Sequence, residues 1–124
     1  MFVYYNPNPK RKSIEDCVIR ALCKVTGKNW YTVRVELFLF GLKECDYEWK
    51  NYIWGLYLED LGFKQHLIPN TCPKCFSVKD FCMIFPKGTY LLAIGNHVVA
   101  IEDGNYYDTW DSGDEVPVYY WKQE

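Results

Sequence analysis

The hydrophobic pattern of this chain changes period once, after Pro86, and that change constrains the fold more than any other feature. Before it, apolar residues recur at helical spacing; after it, they follow the two-residue period of strands. Ile14, Cys17, Val18, Ala21, Leu22 and Val25 sit at i, i+3, i+4, i+7, i+8 and i+11, which is one helical face. Ser13 reads as its cap, Asp16 as the acidic residue of its first turn, and Gly27 as its stop. A second helix is predicted over Trp30 to Leu39, with Trp30, Val33 and Leu37 inward, and a third from Asp46 to Leu61, closed by Gly62. Phe63 to Ile68 reads as a short strand and Pro69 to Phe76 as a loop. Ser77-Val78-Lys79-Asp80 repeats the cap pattern and opens a short helix through Ile84. Residues 1–10, with Pro7 and Pro9, read as an extended arm.

Beyond Pro86 the pattern predicts four strands: Thr89 to Ile94, His97 to Glu102, Asn105 to Trp110 and Val116 to Trp121. Asp103-Gly104 between the second and third is a tight-hairpin signal. Helices followed by an antiparallel meander make an α+β domain. The length of 124 residues fits one domain spanning the whole chain.

Charge and cysteine usage narrow the function classes. A net charge of −2 excludes a strong global field for nucleic acid or an anionic membrane, and Lys10-Arg11-Lys12 reads as a solvated run. The first residues place their charges after a short apolar stretch, the reverse of a secretion signal. Apolar runs such as residues 53–58 are too short to span a bilayer. A cytoplasmic location follows as an expectation, and with it six cysteines that are reduced thiols, ligands or nucleophiles rather than disulfides.

Cys17 falls in the first turn of the first helix, where unpaired N–H groups and the positive end of the macrodipole favour thiolate. Its backbone N–H can donate to an oxyanion. From this helix alone, a small core residue is the favoured reading of Cys17. His97 changes the balance, because it opens a strand beside Gly95 and Asn96, where a side chain at the sheet end faces a cleft. If Asp103-Gly104 is a two-residue turn, facing residues across the hairpin sum to 207. Val99 then faces Asp108 and His97 faces Trp110, with Asp108 one diagonal step from His97. Asp111 points to the other face in that register, and a bulge or a longer turn exchanges the two. A helix-start Cys, a strand-start His and an Asp on the next strand supply nucleophile, base and orienting group for acyl transfer by a thiol. His66, the only other histidine, lies inside a predicted strand and reads as filling a structural or surface place. Asp16 has Arg20 four residues on, so the pair mutes repulsion between Asp16 and a thiolate at Cys17.

The segment YYNPNPKRKSIEDCVIRALCKVTGKNW, with GTYLLAIGNHVVAIEDGNYYDTWDSG and VPVYYW, resembles the small papain-like proteins encoded by phages and prophages of bacteria. More distantly, DCVIRAL resembles the nucleophile helix of the ovarian-tumour-type deubiquitinases. The Cys, His, Asp order resembles that of bacteriocin-leader peptidases. The resemblance implies a papain-like fold and a cysteine peptidase acting on a peptide or protein substrate. It implies Cys17 as nucleophile, His97 as base and Asp108 as third member. Papain-like enzymes place an oxyanion-binding amide a few residues before the Cys. Arg11 to Asp16 contain none, so Asn8, ahead of Asn6, is the residue expected to fold back over the helix start. Asn96 and Trp110 are the expected groove residues.

Two other classes compete. One is a papain-fold binding module, acting on a host protein with its triad kept as a relic. The other is a zinc-stabilised interaction domain built on Cys72 and Cys75 of CPKC. That domain needs two further ligands from Cys82, Cys45 or His66, since zinc takes about four. A redox dithiol at CPKC ranks below zinc, and a plain loop above both. No cofactor is expected in the leading reading.

Overall fold

A computed structural model describes residues 1–124. In chain order it contains β1 (Phe2–Tyr4), α1 (Cys17–Thr26), α2 (Trp30–Lys43), α3 (Asn51–Asp60) and β2 (Phe63–Leu67). These are followed by α4 (Val78–Ile84), β3 (Thr89–Ile94), β4 (His97–Glu102), β5 (Asn105–Asp108) and β6 (Pro117–Gln123). The strands form one six-stranded sheet in the order β1-β5-β4-β3-β6-β2, so the molecule is α+β.

The sheet is mixed, not the antiparallel meander expected. β1 runs parallel to β5 at one edge and β2 antiparallel to β6 at the other. The arm at residues 1–10 therefore contributes a strand. Three paired residues leave too little alternation to read. The hairpin across Asp103-Gly104 has the predicted register, with Ala100 opposite Tyr107, Ile101 opposite Tyr106 and Glu102 opposite Asn105. β5 stops at Asp108, two residues short of the predicted Trp110.

The nearly continuous apolar character of β3 and β4 has a structural cause: both faces of the sheet are covered. Leu91, Ala93, Val98 and Ala100 pack with Leu22, Val33, Trp54 and Trp121 in the core that α1, α2 and α3 share with the sheet. The alternate residues Tyr90, Leu92, Val99 and Ile101 pack with Val78, Phe81 and Tyr106 in the core under α4. Side chains alternate across a strand, so these cores lie on opposite faces. α4 starts as predicted: the Ser77 hydroxyl accepts from the Asp80 N–H at 3.2 Å, and the Asp80 carboxylate accepts from the Ser77 N–H at 2.9 Å.

Helix ends differ in ways that matter for the site. α1 starts at Cys17, not beside Ser13, and Ile14 lies outside it and exposed. α2 runs to Lys43 instead of Leu39, and α3 starts at Asn51 instead of Asp46. Residues between them fold back over the end of α2, where the Asp46 N–H donates to the Gly41 carbonyl at 2.9 Å. A Cβ on Gly41 would lie 2.9 Å from the Asp46 carbonyl oxygen, so this close crossing requires glycine. No helix is long and apolar enough to cross a membrane.

Candidate active site

Cys17 is the first helical residue of α1, closer to the positive end of the macrodipole than a cap at Ser13 would place it. The backbone flanking Asp16 makes that start: the Asp16 carbonyl accepts the Arg20 N–H at 2.8 Å, while its carboxylate makes no cap hydrogen bond. The carboxylate is used laterally instead, accepting from Arg20 Nη1 and, at 2.9 Å, from the Trp30 indole N–H. The cap role expected for Asp16 and Ser13 is thus replaced by a buried polar cluster.

The structure brings Cys17, His97 and Asp108 together. His97 and the Val98 backbone N–H are the neighbours that favour the thiolate form of Cys17. His97 Nε2 lies 2.6 Å from Asp108 Oδ2, which leaves Nδ1 for the thiol. Asp108 is held in turn by the Ser112 hydroxyl at 2.8 Å and the Thr109 N–H at 2.8 Å. Its side chain is 2 % exposed and that of His97 15 %, so both act with little solvent screening. Asp111, the rival third member, accepts from the Tyr106 hydroxyl and the Gly113 N–H.

The electrostatics follow from this geometry. Burial pushes the Cys17 thiol up, but the His97 and Val98 hydrogen bonds and the charges of His97 and Arg20 outweigh it, leaving the thiol below its ordinary value. Burial alone would lower His97. Its bonds to Asp108 and Cys17 reverse that and push it up to about 9. Burial raises Asp108, and the His97, Ser112 and Thr109 bonds overcome it, keeping the carboxyl low. Between the lowered Cys17 value and about 9, the stable form is therefore a thiolate facing an imidazolium. Activity at this site is expected to rise with pH as Cys17 ionises. In any acyl transfer from an amide, it would fall again near pH 9, as His97 loses its proton. A pH profile of kcat/KM checks it: a basic limb near the ordinary histidine value of about 6.5 contradicts the assignment.

The site opens on a cleft of about 1490 Å³ lined by the start of α1, by Trp30, Val35 and Phe38 of α2, by Trp49, and by Asn96, His97 and Trp110 at the sheet end. Both expected groove residues line it. The Trp110 ring lies 5.0 Å from that of His97, although β5 ends before a ladder pair forms there. Asn8 does not line the cleft. Its side-chain oxygen accepts the Lys10 N–H at 2.9 Å and its carbonyl the Arg11 N–H at 2.9 Å, so it builds the turn leading to α1. The Cys17 backbone N–H donates to no group of the protein.

The remaining cysteines stand apart. Cys72 and Cys75 are joined in a disulfide, against the expectation of free thiols, and the CPKC loop does not border the cleft. His66 Nε2 lies 2.6 Å from Glu124, and Cys82 is buried under the sheet. No three His, Cys, Asp or Glu side chains gather where a metal ion would be held. Ser112 and the contact from Arg20 to Asp108 escaped sequence reasoning. The turn-rich DTWDS run after β5, which doubles the chain back on Asp108, is the signal that points to Ser112. No family model, curated protein or solved structure matches this chain.

Proposed function

We propose that this protein is a papain-like cysteine peptidase or related acyl-transfer enzyme, of the kind encoded by phages and prophages, acting on peptide or isopeptide bonds. One observation carries the reading: a cysteine at a helix start meets a histidine that is itself held by a buried carboxylate. The Cys17 sulfur attacks the carbonyl carbon while His97 holds the proton. The developing oxyanion is met by the Cys17 backbone N–H at the amino end of α1. His97 then protonates the departing amine. Water, deprotonated by His97, releases the acid from the thioester. Asp108 keeps the imidazole oriented through both steps.

A cleft of about 1490 Å³ exceeds the range of about 300–1,000 Å³ typical of small-molecule sites and suits a length of polypeptide. Competitive labelling with iodoacetamide near neutral pH, read by peptide mass mapping, tests the reading. Cys17 is expected to react well ahead of exposed Cys45, with buried Cys23 and Cys82 last. Equal rates at Cys17 and Cys45 would remove the nucleophile.

A second reading, a papain-fold binding module, has one observation in its favour. α2 turns Tyr31, Val35, Phe38, Leu39 and Leu42 to solvent, a second apolar stripe beside its core face. Under that reading, Cys17→Ser leaves partner capture and biological effect intact; under ours, it abolishes the effect. The zinc-centred reading has no support at CPKC, where both thiols are consumed in a disulfide.

A further inference from the structure

Arg20 lies on α1 one turn beyond Cys17, with its side chain 9 % exposed. One guanidinium nitrogen, Nη1, bonds Asp16 Oδ1, and the other, Nη2, lies 3.4 Å from Asp108 Oδ1. The two carboxylates come from opposite parts of the chain: Asp16 precedes the nucleophile, and Asp108 holds the base. Both are nearly solvent-free, at 3 % and 2 % side-chain exposure. A helix-stabilising i,i+4 pair would need only Asp16 and would ordinarily sit in solvent. A buried arginine forked between two carboxylates is a different object, because its rigid donor geometry fixes the distance between its partners.

We propose that Arg20 is a positioning residue of the candidate active site. By bridging Asp16 and Asp108 it registers the nucleophile helix against the strand that carries the base's partner, and its charge offsets the two carboxylates it touches. This rests on the peptidase reading of Cys17, His97 and Asp108. With Arg20 present, Asp16, Asp108 and a Cys17 thiolate are balanced by Arg20 and an imidazolium to a net charge of −1. Without it the same buried corner holds −2, and a low-dielectric setting penalises the last negative charge to form, the thiolate. The other charged groups around this corner do not substitute. Arg34 is stacked on Trp30 at 5.1 Å, Glu15 only borders the cleft, and Lys24 pairs with Glu102 farther along α1.

The test is the pH dependence of Cys17 alkylation by iodoacetamide in Arg20→Gln, Arg20→Lys and Asp16→Asn, each checked for native fold by circular dichroism. In Arg20→Gln the midpoint of the acid limb is expected to rise by about one pH unit, with roughly a tenfold slower rate at pH 6. Arg20→Lys keeps the charge but not the planar fork, and is expected to move the midpoint less than Arg20→Gln does. Asp16→Asn removes one of the two carboxylates and is expected to lower it. Asp16→Asn decides the matter if Arg20→Gln does not fold. A folded Arg20→Gln with the parent midpoint, or an Asp16→Asn midpoint that does not move, overturns the proposal while Cys17 reactivity in the parent protein stands. A parent protein whose Cys17 reacts no faster than Cys45 overturns the peptidase reading and this inference together.

Discussion

His97→Ala is expected to slow the reaction of Cys17 with iodoacetamide at pH 6 by about a hundredfold, without loss of the folded state. The thiolate is the reacting species. His97 supplies both a hydrogen bond to it and the nearest positive charge, while burial opposes ionisation. Removing the ring leaves burial and the more distant Arg20 charge, so the thiol returns toward an ordinary value or above. Each pH unit of upward movement reduces the thiolate fraction about tenfold in this range, and a movement of about two units gives the hundredfold figure. The Val98 N–H and the helix start remain, so some activation survives. Rates measured by mass spectrometry on intact protein, with Cys45 as internal reference, check it. An unchanged Cys17 rate would mean that the imidazole does not act on the sulfur.

Asp108→Ala is expected to cost about 3 kcal/mol of stability, roughly 10 °C in Tm, and to abolish turnover. The carboxylate accepts from His97, Ser112 and Thr109 and faces Arg20. Truncation leaves Arg20 with Asp16 as its one carboxylate partner and the Nε2 side of the imidazole with none, in a site where solvent cannot replace them. Asp108→Asn keeps the volume and one acceptor oxygen, so it is expected to lose less stability while still losing the charge that helps raise His97. The basic limb of the pH profile should then move down from about 9. Thermal denaturation and the pH profile read the two effects separately. Equal stability of Asp108→Ala and the parent protein would show that the cluster is not a structural keystone.

The split between helical and strand halves was legible because both signals are local. The Ser77–Asp80 cap and the Asp103-Gly104 turn each declare themselves within four residues, and the turn alone set the register that brings His97 and Asp108 together. The start of α1 was misread because Asp16 looks like a first-turn residue, whereas its carboxylate is committed to Arg20 and Trp30, partners four and fourteen positions away. The start of the third helix is not legible because nothing local shows that residues before Asn51 cross over Gly41. β1 was missed for the same reason: its partner lies about a hundred residues along the chain. Asn8 was assigned to the oxyanion by analogy of position, and the structure uses its amide oxygen to close a turn. The disulfide at CPKC went against an expectation drawn from compartment rather than from geometry.

The central claim is that pairing with His97 draws the Cys17 thiol below its ordinary value, so that a thiolate faces an imidazolium. Thiolate absorbance near 240 nm, titrated in the native protein and in Cys17→Ala, isolates that one group by difference. The account predicts a difference signal whose midpoint lies below the ordinary thiol value of about 8.5. A difference curve that rises only at or above that value would contradict it.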